Sequence, residues 1–290
     1  RMPLTALALV LGAALLHATW NLAAKRAAHA THFMWLSAVF AAALYIPVVG
    51  WILLTTPVNF GWREAFACSA SAVVHFGYNV ARQTAYRVAD FSVVYPIARG
   101  SGPLLSFTAA VLLLGEQPSL LALLGLLLIV VGVLAISGGR AWFSAHRGGV
   151  ELRGVMWGLI AGAFVAGYTV IDGWAVRYLL MSPFVVDICG NLFASVVLSR
   201  RALREPGEVR AQWRQFWPQI VTVATLGPIG YIAVLFAMKL APVSHVAPAR
   251  EVSMLIAAFF GAKLLDEGDV VRRVAYAGLI ATGVVCLVWT

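Results

Sequence analysis

The chain has 290 residues, 61% of them hydrophobic and 11% charged, with a net charge of +9 and a mean hydropathy of +0.87. A soluble domain carries about 25% charged residues and fewer than ~50% apolar ones. A water-soluble globule is therefore excluded, because it would leave too much apolar surface in water; lipid is the solvent that suits this composition.

The basic excess reads as loop charge near lipid head groups. Nucleic-acid binding is not expected, since no basic run with interleaved aromatics occurs. Cys68, Cys189 and Cys286 lie apart in apolar stretches with no CxxC pair, so neither a disulfide framework nor a zinc site is expected.

Spans of about 20 apolar residues recur along the chain, and all must be helical, because open strands leave unpaired backbone groups in hydrocarbon. The first is Leu4–Ala24, where His17, Trp20 and Asn21 share a face. It is followed by Lys25 and Arg26 and not by a cleavage site, so it reads as a span and not as a signal peptide. The second is His32–Leu54. The third, Glu64–Tyr86, carries His75, Tyr78, Asn79, Arg82 and Tyr86 at spacings of three and four, hence on one face. Lipid does not accept such a stripe, so it faces a wet cavity or a polar seam.

Span four, Phe91–Leu114, places Tyr95, Arg99, Gly102 and Ser106 on one face, and span five is Leu120–Ser137. A polar stretch, Gly138–Arg153, reads as a linker between halves. Span six, Gly154–Val176, has Gly154, Gly158 and Gly162 every four residues, a close-packing face, and Tyr168 with Asp172 on another. Span seven, Pro183–Leu203, aligns Asp187, Asn191 and Ser195. A second polar loop, Arg204–Gln215, carries the Glu205-Pro206-Gly207 turn signal. Spans eight to ten are Phe216–Leu240, Val243–Leu265 and Val270–Trp289. Pro47, Pro96, Pro103, Pro228 and Pro248 fall inside spans and are expected to interrupt or bend them.

The two halves match at a spacing of 151 residues: Asn21 with Asp172, Arg26 with Arg177, Arg99 with Arg250, Glu116 with Glu267 and Gly132 with Gly283. Ser92 and Pro96 match Ser244 and Pro248 one residue further on. The reading is a duplication: residues 1–139 as one five-helix repeat, 140–153 as the inter-repeat loop and 154–290 as the second repeat. Because five is odd, the second repeat enters the membrane from the opposite side. The fold expected is an all-α integral membrane bundle of ten transmembrane helices in two inverted repeats.

Certain motifs carry a family resemblance: Gly12 to Asn21 in span one, Leu113-Leu114-Gly115-Glu116 closing span four, its echo Leu264-Leu265-Asp266-Glu267, and the Gly125…Gly132 spacing. On these the chain resembles the drug/metabolite transporter superfamily, EamA type, whose members are similar in being ten-helix exporters of amino acids, other metabolites or cationic drugs. The resemblance implies a secondary transporter in a bacterial-type inner membrane. It carries over no catalytic residue, and Glu116 and Glu267 read as structural.

Each charge inside a span costs roughly 2.5–3.5 kcal/mol on insertion scales unless paired or hydrated. Arg82, Arg99 and Arg250 face three acids, Asp172, Asp187 and Glu251. The expected substrate site is His75, Tyr78, Asn79, Arg82, Trp20, Asn21, Tyr95, Arg99 and Tyr168. Asp172, Glu251 and Arg250 are the coupling or ion-pair candidates, with proton coupling as an option. Aromatic rings would take an apolar or cationic part and Arg82 a carboxylate. His17, His75 and His245 read as core residues before they read as proton carriers.

The expected partners are a small-molecule substrate and the bilayer, with the protein a monomer and with no nucleic acid, cofactor or metal. No GxxxxGK[ST] phosphate loop, HExxH or GxSxG occurs, so an enzyme is not expected. The substrate reading is amino acids, aromatic ones included. The alternatives are an exchanger of anionic phosphate-bearing metabolites, with Arg82, Arg99 and Arg250 as ligands, and an integral-membrane enzyme on lipid-linked substrates.

Of the 21 Lys and Arg residues, three lie in spans, four (Arg1, Arg63, Arg177 and Lys239) on one face, and the remaining 14 on the other. That asymmetry puts both termini outside the cytoplasm; the family resemblance implies the reverse.

Overall fold

A computed structural model of the chain describes residues 2–27, 30–56, 60–88, 91–144, 149–253 and 270–289. Among these residues there are helices and turns and no strand. The helices are α1 (Leu4–Arg26), α2 (Phe33–Thr55), α3 (Trp62–Val88), α4 (Phe91–Leu114), α5 (Leu120–Ser144), α6 (Gly149–Arg177), α7 (Pro183–Ala202), α8 (Pro206–Leu240), α9 (Val243–Ala249) and α10 (Val270–Trp289). Six contain stretches long and apolar enough to cross a bilayer, in α1, α2, α4, α6, α7 and α8, while α5 and α10 contribute shorter apolar runs. The runs in α5 and α10 are those of their described side chains, Leu120–Ala135 and Ala275–Trp289. α3 fails on apolarity because its stripe occupies a full face. Only the first turns of span nine are described; the rest, with Glu267, lies outside the described residues.

Large apolar side chains stand exposed around the bundle, among them Leu54, Leu112, Leu113 and Leu120. Exposed Trp51, Trp62, Trp217 and Trp289 lie near helix ends or bends, where an aromatic belt meets the membrane–water boundary.

Three boundaries differ from expectation. The linker expected over Gly138–Arg153 is largely helical, since α5 runs to Ser144 and α6 starts at Gly149. The loop expected over Arg204–Gln215 is mostly the first turns of α8, which begins with Pro206 in its first turn and bends at Phe216 (φ −120°, ψ 15°). Both stretches are polar because they leave hydrocarbon, and water tolerates a polar helix as well as a loop. The bend sits two residues before Pro218, whose ring and missing N–H disrupt the preceding turn. Pro47, Pro96, Pro103 and Pro228 lie in unbroken helix, so the expected interruptions there do not occur; the helix that holds Pro248 ends one residue later, at Ala249.

The most extensive pairings are α4 with α6, α1 with α8, α5 with α10, α3 with α6, and α2 with α7. Small residues permit the close ones. A side chain at Gly158 would meet Ile97 and the Val94 carbonyl, and one at Gly162 would collide with Ser101, so the glycine stripe of α6 is where α4 seats. Gly125 and Gly283 bring α5 and α10 together: a Cβ on Gly283 would lie 2.6 Å from the Gly125 carbonyl oxygen. Helices α3 and α6 run antiparallel, for Gly77 abuts Phe164, while His75 stacks on Tyr168 and Val74 abuts Gly167.

The Leu113-Leu114-Gly115-Glu116 motif has a mechanical role. Gly115 adopts φ +67°, and the Glu116 N–H donates to the Ala110 carbonyl six residues back at 3.3 Å, which closes the C-terminus of α4. That turn aims the Glu116 carboxylate at α9, where Oε1 and Oε2 accept from the Val243 and Ser244 N–H groups at 2.8 and 2.9 Å. A carboxylate there satisfies orphan donors and complements the helix dipole.

Candidate functional site

Four elements meet around Tyr168. Helix α6 presents Tyr168 and Asp172 one turn apart, both buried. Helix α3 brings His75, whose ring stacks on Tyr168 at 4.0 Å between centroids and 19° between planes. Its Nε2 lies 2.9 Å from Asp172 Oδ2. Tyr78, one turn further along α3, meets Tyr168 edge to face at 5.8 Å. Helix α8 supplies Tyr231, whose hydroxyl donates to the same Asp172 Oδ2 and whose ring stands edge-on to His75 at 5.2 Å. From the turn after α9, Arg250 lies over the Tyr168 ring, its guanidinium carbon 5.8 Å from the centroid, with Nη2 3.5 Å from the phenol oxygen.

The cage has a basic rim. Arg82 lies over Tyr78 at 5.3 Å and donates to Asn79 Oδ1 at 3.1 Å. Asn79 in turn donates to the His75 carbonyl. Arg99 on α4 faces Glu251, Nη1 lying 3.3 Å from both carboxylate oxygens. On α1, His17 lies within electrostatic reach of Arg99, Arg250 and Arg82 and packs edge to face on Trp20 at 4.8 Å. The α1, α3, α4, α6 and α9 faces therefore converge on one basic, aromatic region.

His75, Tyr78, Asn79, Arg82, Arg99, Trp20 and Tyr168 all belong to this region, as do Asp172, Arg250 and Glu251. Asn21 folds back on its own helix and donates to the His17 carbonyl at 2.7 Å. The side chains of Tyr86 and Tyr95 lie outside the described residues. The three bases are not matched one to one with the three acids. Arg99 takes Glu251, Asp172 is held by a histidine and a tyrosine, and half-buried Asp187 accepts from Asn191 at 3.2 Å. Tyr231 is the residue that periodicity does not reveal, since from Leu226 to Met238 of α8 it is the one side chain with a polar group. A signal was present in the repeat, because Tyr231 lies 152 residues after Asn79, the spacing that also relates Ser92 to Ser244.

Several polar atoms here are unspent. Asp172 Oδ1, Trp20 Nε1 and Thr169 Oγ1 are buried with no hydrogen-bond partner among the described residues. Buried polar atoms are seldom left so, and each costs about 1–3 kcal/mol of desolvation. A region with an open carboxylate oxygen, an open indole N–H, stacked phenols and a guanidinium rim can hold a solute bearing both charges and a ring.

One comparison, with a family model, points to a transporter. Residues 152–289 match the model of the EamA-like transporter family. No curated protein matches. One solved structure, described only as a crystal structure of a protein, superposes with a TM-score of 0.74 over 97% of this chain and 95% of its own, at 15% identity, which shows a shared fold. Residues 152–289, just under half of the chain, are therefore similar to the EamA-like transporter family, and the long apolar helices among the described residues fit a multi-pass membrane protein.

Proposed function

We infer that the protein is a secondary transporter that exports small zwitterionic metabolites, amino acids with aromatic side chains foremost, by alternating access between two inverted five-helix repeats. The observation that carries the substrate class is the cage itself. Tyr168, Tyr78, Tyr231 and His75 offer ring faces and edges, and aromatic pairs in such geometry add about 0.5–1.5 kcal/mol beyond area burial. Asp172 Oδ1 would receive an ammonium group, and Arg82 a carboxylate. A phosphate-bearing substrate is less well served, because Glu251 holds Arg99 and the phenol of Tyr168 engages Arg250.

The helix pairings support the repeat. Advancing each label by five turns the α3–α6 pair into α8–α1 and the α3–α7 pair into α8–α2, and leaves α2–α7, α4–α9 and α5–α10 unchanged; all of these pairs occur. Two halves related by a two-fold axis would pair in this way, and on that reading the cage falls where α3 of one half meets α6 and α8 of the other, the kind of interface that such carriers use for substrate. A bacterial-type inner membrane and a monomeric carrier complete the reading, and export is taken to draw on the proton gradient through Asp172.

The test is substrate binding and thermal stability measured together for Tyr78→Ala, Asn79→Ala and Arg82→Ala. Losing a charge-assisted hydrogen bond costs about 1.5–3 kcal/mol, so Arg82→Ala should bind phenylalanine or tyrosine roughly 10- to 100-fold more weakly at an unchanged melting temperature. Unchanged affinity in all three folded variants would remove this face from the site.

A further inference from the structure

Away from the cage, the C-terminal end of α7 carries a feature that carriage of a small solute does not use. A pocket of about 500 Å³ opens there, lined by Val197, Leu198, Arg200, Arg201, Arg204 and Glu205. Its wall is divided by chemistry. Val196 and Val197 are exposed on the bilayer side, and the next turn of α7 and the residues after it present the three exposed guanidiniums.

The single acid does not neutralise them. Glu205 Oε2 lies 2.7 Å from His32 Nε2 and 3.8 Å from Arg201 Nε. His32 is itself fixed, buried, with its backbone N–H donating to Gln212 Oε1 at 2.8 Å. Among the described residues Arg200 and Arg204 have no acidic partner. Two to three planar forks are left facing one pocket where helix α7 leaves the hydrocarbon. A guanidinium fork matches two phosphate oxygens.

We propose that this pocket is a specific binding site for the phosphodiester of an anionic phospholipid, with the acyl chains lying along Val196 and Val197 of α7. Arg200 and Arg204 take the phosphate oxygens. Arg201 closes one side and is held in place by Glu205, which the buried His32 anchors to the α1–α2 connection. Occupancy ties that connection to the α7–α8 connection, so bound lipid should stiffen the bundle. A diffuse attraction of basic loops to any anionic surface would act instead through net charge, and the two are separable.

The full chain in detergent is titrated with phosphatidylglycerol, with phosphatidylcholine and with sodium phosphate, and its melting temperature is followed at each addition. Saturable stabilisation by phosphatidylglycerol is expected, with apparent affinity at least tenfold weaker in the Arg200→Gln/Arg201→Gln/Arg204→Gln variant. A control, Arg210→Gln/Arg214→Gln, removes like charge from the same end of the bundle outside the pocket and should bind as wild type does. If the triple variant folds poorly, Arg200→Gln/Arg204→Gln leaves the Arg201–Glu205 contact intact and should show most of the loss. Equal weakening in the control would overturn the pocket in favour of a diffuse field. Equal stabilisation by phosphatidylcholine would overturn the requirement for a net-anionic head group, and equal stabilisation by inorganic phosphate would overturn the lipid as its source.

Discussion

Asp172 accepts from Tyr231 on Oδ2, with His75 Nε2 2.9 Å from the same oxygen, while its Oδ1 is buried and unpartnered. Glu251, the other coupling candidate, is held by a guanidinium at 3.3 Å. Removing one partner of such a buried pair costs about 3–5 kcal/mol. Asp172 is therefore the better candidate for the proposed coupling to protons. Asp172→Asn should abolish accumulation driven by an imposed pH gradient in proteoliposomes, while exchange of labelled for unlabelled substrate continues at the weaker apparent affinity that losing a charge-assisted bond to the ammonium entails. Wild-type transport indifferent to the gradient would end the coupling role and leave facilitated diffusion. The α3 stripe was readable in the sequence because spacings of three and four survive in any helix. The pairing of His75 with Asp172 was not, because 97 residues separate them and only packing of α3 on α6 joins them.

Among the elements, α5 and α10 are joined where backbones nearly touch. A Cβ at Gly283 would sit 2.6 Å from the Gly125 carbonyl oxygen and 2.7 Å from Ile129 Cγ1, and backbone cannot yield as a flexible side chain does. Gly283→Val should lower stability by about 1–3 kcal/mol. Gly278→Val, where nothing lies within 4 Å, should melt as wild type does. Equal melting temperatures for the two variants in detergent would show that this crossing is looser than described. The glycine spacing of α5 and the stripe of α6 were both visible as patterns, yet which helix each receives is a property of the bundle. Helix ends were less readable: hydropathy ends a span where side chains turn polar, whereas α5, α6 and α8 continue beyond the bilayer as polar helix. The bend near Pro218 also escaped the sequence reading, because the apolar pattern of span eight begins at Phe216, at the bend itself.

At the scale of the whole molecule, the proposed repeat rests on matched residues at a constant spacing and on the exchange of helix pairs under a shift of five labels. Five spans between two reporters place them on opposite sides. Fusions at Gly148 and at the C-terminus should report different compartments, and the same compartment for both would exclude five spans between them. Which compartment is which also decides between the 14-to-4 charge asymmetry and the orientation implied by family resemblance. The central claim is that the aromatic, charged cage carries a zwitterion across the bilayer. The most direct measurement is uptake by proteoliposomes containing the purified chain, with a panel of labelled aromatic and aliphatic amino acids, sugar phosphates and organic cations. Uptake of aromatic amino acids above protein-free vesicles, abolished in Tyr168→Ala and reduced at least tenfold in apparent affinity in Arg82→Ala, is the predicted result. Selective uptake of sugar phosphates, or amino-acid uptake untouched by both substitutions, would contradict it.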